Sequence, residues 1–206
     1  MAEIWEIHGA VQTRNARELD RLIQNGVDVN ARDGKTPLHT AALLGYDDMA
    51  ARLLAAHADP NLKDGRDGRC PIHEAVRSGN ADLVRDLIKH GAHIGAQDRA
   101  GLSPLHHAAE QDQLKCAQIL LAAGADHRLR DNAGQTPSEA GRAAMRDANW
   151  PRDWQGAKQA NQVADLLDNP RLRAQWAPLS LPAPPPRPQQ PRITPTDRGM
   201  DRGMDI

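Results

Sequence analysis

Thr36-Pro-Leu-His-Thr-Ala-Ala42 returns as Cys70-Pro-Ile-His-Glu-Ala-Val76 and again as Ser103-Pro-Leu-His-His-Ala-Ala109. The prolines of these segments, Pro37, Pro71 and Pro104, are followed by Pro137, at spacings of 34, 33 and 33 residues. Three residues before each proline stands a glycine: Gly34, Gly68, Gly101 and Gly134. Two residues after the first three prolines comes a histidine (His39, His73, His106), and four after them an alanine (Ala41, Ala75, Ala108). Sixteen residues after them lies an aliphatic pair: Leu53-Leu54, Leu87-Ile88 and Leu120-Leu121. Features held in phase at this period mark stacked supersecondary units, none of which can bury its apolar face alone.

Each unit has a simple physical logic. Thr or Ser before Pro caps a first helix by accepting an orphan backbone N–H. Proline suits the first helical position, where no N–H is needed. Alanines let paired helices approach closely. The aliphatic pair sits on a second helix and faces the neighbouring unit, each buried Leu contributing ~2 kcal/mol. Gly91 and Gly124 end that helix in the left-handed conformation.

Weaker copies flank the three clear ones. Ile7-His8-Gly9-Ala10-Val11 aligns with Ile72-His73-Glu74-Ala75-Val76, and Leu22-Ile23 and Gly26 align with Leu87-Ile88 and Gly91. At the other end Thr136-Pro137-Ser138-Glu139-Ala140 opens a fifth copy. Its aliphatic pair, Leu166-Leu167, lies 29 residues after Pro137 instead of 16, so thirteen residues are inserted between Arg142 and Ala157.

These segments resemble the ankyrin signature Thr-Pro-Leu-His-x-Ala-Ala. Gly26-Val27-Asp28-Val29-Asn30 and Gly124-Ala125-Asp126 resemble its Gly-Ala-Asp-Val-Asn close. The resemblance covers residues 3–169 and implies an all-α solenoid of helix-turn-helix repeats joined by β-hairpin loops. The expected organisation is a repeat domain over 1–170. It has a capping repeat at 3–34, repeats at 35–67, 68–101 and 102–134, and a degenerate last repeat with its insertion at 135–170. Residues 171–206 are expected to form a disordered Pro-rich, Arg-containing tail. Against the family pattern, Cys70 replaces the capping Thr, a loss on the order of 1 kcal/mol. His57 replaces the helix-ending Gly. The first hairpin, Asn30 to Pro37, is two residues short and the second, Asn61 to Pro71, one long.

Composition agrees with thin stacked layers. Hydrophobic residues make up 39% of the 206, yet Phe is absent and Tyr occurs once. The net charge is −1, with six Arg against three Asp in residues 170–206. That balance does not describe a nucleic-acid binder. Cys70 and Cys116, the two cysteines, make neither a disulfide framework nor a four-ligand zinc site. The opening Met-Ala-Glu-Ile-Trp-Glu-Ile-His lacks the regions of a signal peptide, and no apolar run reaches ~18 residues. The expectation is a cytoplasmic monomer without a membrane segment.

For function, the Cys70–His73 pair is the one arrangement resembling a nucleophile and its base. His73, however, is a signature histidine that in this family braces the hairpin. The other histidines, including His90, His93, His106 and His107, lack a Cys or carboxylate at ligand spacing. No enzyme, cofactor or metal site is therefore expected. In this family the hairpin tips and inner helices form a concave binding face. The resemblance places Arg32, Lys35, Lys63, Arg66, Arg69, Arg99, Leu102, Arg130 and Gln135 on the tips. It places Leu43, Leu44, Arg77, Glu110 and Gln111 on the inner helices. Eight basic tip residues, Arg128 included, against Asp33, Asp64, Asp67, Asp98 and Asp131 suggest a protein partner with an acidic surface, the Asp residues being turn formers occupied by local amides. The expected function is a non-enzymatic adaptor or scaffold; the alternative is an inhibitor or immunity-type protein blocking one enzyme. Trp150 and Trp154 in the insertion read either as a binding hot spot or as a lid on the last repeat. Pro182-x-x-Pro185-x-Arg187 offers a weak match to polyproline-reading domains.

Overall fold

The computed structural model describes residues 2–147 and 156–174. The helices come in pairs: α1 (Ala2–Gln12) with α2 (Ala16–Gln24), α3 (Pro37–Leu44) with α4 (Asp47–Ala55), α5 (Pro71–Arg77) with α6 (Ala81–Lys89), and α7 (Pro104–Glu110) with α8 (Leu114–Ala122). The last pair is α9 (Pro137–Asp147) with α10 (Gly156–Asp168), followed by α11 (Pro170–Ala174). First helices pack on first helices (α1 on α3, α3 on α5, α5 on α7, α7 on α9), and second helices on second helices. One core cluster runs through the stack, from Ile7 and Leu19 through Leu53, Ile72, Leu87 and Leu120 to Val163 and Leu167.

The starts of the helices follow from the repeated motif. Thr36 and Ser103 accept the backbone N–H three residues on, at 3.4 Å in both cases. Cys70 lacks that oxygen cap; its thiol instead donates to the Asn61 carbonyl at 3.4 Å. His57 holds φ 64°, the left-handed conformation expected from its place in the repeat. Gly141 is required by close approach: a Cβ there would lie 2.9 Å from the Ala109 carbonyl oxygen, so α9 could not seat on α7.

The hairpin loops between repeats are each closed by a backbone bond, from the N–H of Asp33, Asp64, Asp98 and Asp131 to the carbonyls of Lys35, Arg69, Leu102 and Gln135, and among the described residues the only bridge is the isolated Asp33–Lys35 pair. The insertion is largely taken up by longer helices, 11 residues in α9 and 13 in α10, tied together by Arg142 to Asp165 and Asp168. Helix α11 carries regular structure to Ala174. Trp150 and Trp154, and the Pro-rich segment from residue 175 onward, lie outside the described residues.

Candidate partner-binding surface

The histidines of the motif build the frame of this surface. In His39 and His106 the ring Nδ1 accepts the backbone N–H of the capping residue, and in His73 that of Cys70, at 3.0–3.2 Å. The Nε2–H is then free to donate across to the next repeat: His39 to the Arg69 carbonyl at 2.9 Å and His106 to Gln135 at 3.1 Å. His8 makes the corresponding contact to Lys35 at 3.0 Å. His73 departs in register, reaching the Ala96 carbonyl at 2.9 Å. Burial pushes the pKa of His39, His73 and His106 down, His73 to about 4, so these rings are neutral crosslinks.

The tips form a second ladder. Gly65 N–H donates to Gly34 O, Arg99 N–H to Asp67 O and Asn132 N–H to Ala100 O, at 2.8, 2.8 and 3.1 Å. Within each tip an Asp carboxylate collects amides: Asp64 those of Asp67 and Arg69, Asp98 those of Ala100 and Leu102, Asp131 those of Ala133 and Gln135. The turn-forming role expected for these aspartates is thus seen directly. Tips and first helices together make a framework tied from repeat to repeat by backbone and histidine hydrogen bonds.

The candidate residues divide by how much of their charge is already used. Arg32 and Arg66 are exposed and make no ion pair among the described residues. Lys63 reaches the Gln97 carbonyl, Arg99 holds the carbonyls of Gly65 and Arg66, and Arg130 holds that of Gly134; all three are exposed. Lys35, Arg69 and Arg77 are different. Lys35 Nζ lies 2.7 Å and Arg77 Nη1 3.0 Å from the carboxylate of Glu74, a side chain with no solvent exposure. Arg69 pairs with Asp67 at 2.8 Å, with Asp98 3.7 Å away. Arg32 and Arg66 thus carry no ion pair at the tips among the described residues, whereas Lys35 and Arg69 at the tips and Arg77 on α5 pair with Glu74, Asp67 and Asp98. Leu43 and Leu44 are exposed on α3, at 42% and 44%, while Leu102, Gln135 and Glu110 are half-buried and Gln111 is exposed.

Sequence reasoning missed Glu74, His107 and Trp5. Glu74 and His107 occupy the unassigned position of the motif, after the signature histidine, where Thr40 stands in the earlier repeat. That position points from the first helix toward the tips, and an ionisable residue there was the available signal. His107 Nε2 lies 3.0 Å from Asp98 Oδ2, and its ring stands edge-on to His73 with centroids 5.6 Å apart. Trp5 is 65% exposed beside a shallow depression of about 220 Å³ lined also by His8, Gln12, Lys35 and Thr40.

The Cys70–His73 pair is not an activated nucleophile. Burial pushes the Cys70 thiol up to about 11, and both nitrogens of His73 are engaged by backbone. His90 and His93 are exposed, with His90 Nδ1 on the Asp86 carbonyl. Among the described residues no group of three or more His, Cys, Asp or Glu side chains is arranged to hold a metal ion. None of the described helices is long and apolar enough to cross a membrane.

Comparison with known proteins follows the repeats. A family model described as ankyrin repeats (3 copies) matches residues 53–131, and one described as ankyrin repeats (many copies) matches 22–69. A mitochondrial disaggregase of Bos taurus is 47% identical over 57 residues, which is 27% of this chain and 8% of that protein.

Proposed function

We propose that this chain, which belongs to the ankyrin-repeat family, is a non-enzymatic adaptor or scaffold that binds a partner protein through its tips and first helices. Ankyrin repeats generally mediate protein–protein interaction. The observation that carries the reading is the pre-ordered face itself. Its tips are laddered by backbone hydrogen bonds, and it carries exposed Leu43, Leu44, Arg32 and Arg66 with little ordering left to do on binding. The apolar pair supplies area at the centre, and the exposed arginines of the rim favour an acidic partner edge. The stretch shared with the disaggregase is too small a part of that protein to bring its activity here. Cytoplasmic location and a monomeric state belong to the same proposal.

Affinity capture from native lysate, with residues 1–174 and the full chain in parallel, tests it. The expected result is the same stoichiometric partner on both baits. Recovery by the full chain alone would move recognition to the Pro-rich segment beyond residue 174. The measured affinity separates the inhibitor alternative, which requires tight one-to-one binding, from a weaker scaffold.

A further inference from the structure

Near the tips, on α7, Glu110 is an acid without a close ion pair to an Arg or Lys among the described residues. Glu74 has Lys35 and Arg77; Asp98 has His107, Arg69 and two backbone amides. Glu110, at the end of α7, has only His107 Nδ1, 3.8 Å from its Oε2 and beyond hydrogen-bond distance. The His107 side chain is 3% exposed, and Nδ1 has no hydrogen-bond partner. Because Nε2 gives its proton to the Asp98 carboxylate, Nδ1 of the neutral ring is a lone-pair acceptor. A buried acceptor left unsatisfied beside a carboxylate is a position that calls for a donor.

The surroundings specify the donor's charge. Lys35, Arg69 and Arg77 face Glu74, Asp98 and Glu110, with Asp131 close enough to act on Glu110. With His107 neutral, and with Asp67, the nearest partner of Arg69, included, these three cations meet five acids, so the cluster is short of positive charge. Burial, and then the charges of Asp98 and Asp131, push the Glu110 carboxyl above its ordinary range, while burial pushes His107 down. An incoming cation would stabilise the Glu110 carboxylate, while the neutral His107 ring keeps Nδ1 as an acceptor for it.

We propose that the space between Glu110 and His107 is a lysine subsite, in which a partner's ammonium donates one N–H to the Glu110 carboxylate and another to His107 Nδ1. The subsite rests on the reading of this face as a protein-binding surface and specifies what the partner must present. A nitrogen about 2.8 Å from both acceptors fits across the 3.8 Å gap. Lysine suits it better than arginine. The ammonium is compact and distributes three donors freely, whereas the guanidinium fork matches two oxygens of one carboxylate. The Glu110 side chain is 29% exposed, so the carboxylate end of the subsite is reached from solvent.

The test pans a random dodecapeptide library on the immobilised full chain and on its Glu110→Gln variant at pH 7.5. Lysine is enriched on the wild type, and a selected lysine peptide binds Glu110→Gln about tenfold more weakly. Melting curves establish that the variant is folded, and Glu110→Ala serves as a second variant if it is not. In the wild type, the same peptide shifts the His107 Nδ1 resonance toward a hydrogen-bonded value, and its norleucine counterpart does not. Peptides enriched without lysine, or lysine peptides that bind both proteins equally, overturn the subsite while leaving the face as a binding surface. Peptides that bind equally well when Leu43, Leu44 and Arg66 are replaced overturn the broader reading too. Failure to enrich anything overturns the subsite.

Discussion

Replacing Glu74 by Gln probes the buried charges that fix the tips to the first helices. The carboxylate has no solvent exposure and holds Lys35 at 2.7 Å and Arg77 at 3.0 Å. Glutamine keeps the shape and one acceptor but loses the charge and turns an NH₂ toward one of the cations. Breaking a fully buried ion pair costs about 3–5 kcal/mol, and a hydrogen bond to a charged group is worth about 1.5–3 kcal/mol. Here Lys35 and Arg77 are 31% and 33% exposed, so water takes up part of their loss. That places the expected destabilisation at about 2 kcal/mol, or roughly 4–8 °C in melting temperature. Burial alone would raise the Glu74 pKa, but the bond and charge of Lys35, then Arg77, hold it below 4.5. The contribution is therefore full above pH 4.5 and is lost as pH falls through the lowered folded value. Thermal and urea unfolding at pH 7, repeated in a Lys35→Met background, give the coupling, expected at about 1 kcal/mol. A Glu74→Gln protein unchanged within about 0.5 kcal/mol would refute the reasoning, since surface substitutions do no more than that.

Other expected outcomes follow from the same geometry. Cys70→Ser restores the oxygen cap seen at Thr36 and Ser103 and should stabilise by about 0.5–1 kcal/mol in denaturant unfolding. Burial raises the Asp112 carboxyl to about 6, and its Oδ1 is unpartnered at φ 59°. Asp112→Asn, which tolerates that backbone, should therefore stabilise by about 1 kcal/mol at pH 7, and the gain should vanish near pH 4. His39, His73, His106 and His107 have folded pKa values below 6.5, so the unfolded chain takes up protons first. Their contribution is complete above pH 6.5 and falls away below it, toward about 4 for His73; melting temperature measured across pH 7 to 4 should decline over that window.

The fold was legible because its determinants are local. Pro, the capping hydroxyl, the signature histidine and the aliphatic pair recur at fixed spacing, and each acts within its own repeat or on the next. Even the strained His57 and the missing cap at Cys70 could be read from departures in register. The candidate surface was legible only as positions. Which of its charges remain free depends on pairs such as Lys35–Glu74, separated by 39 residues and brought together by the stagger of one repeat on another. The i,i+3 spacing on α5 sets Arg77 beside Glu74, but no spacing rule within a repeat reveals that Lys35 shares that buried acid, or that Asp98 orients His107. For the insertion, length alone does not say whether extra residues form a loop or extend α9 and α10.

The most direct test of a binding face on the tips and first helices compares two variants of the full chain as baits in native lysate. One carries Leu43→Ser, Leu44→Ser and Arg66→Glu on that face. The other carries Arg85→Glu and Lys89→Glu on α6, in the row of second helices. The predicted result is a stoichiometric partner retained by the α6 variant and lost from the face variant, with both folded by melting curve. A partner kept by the face variant and lost from the α6 variant would contradict it.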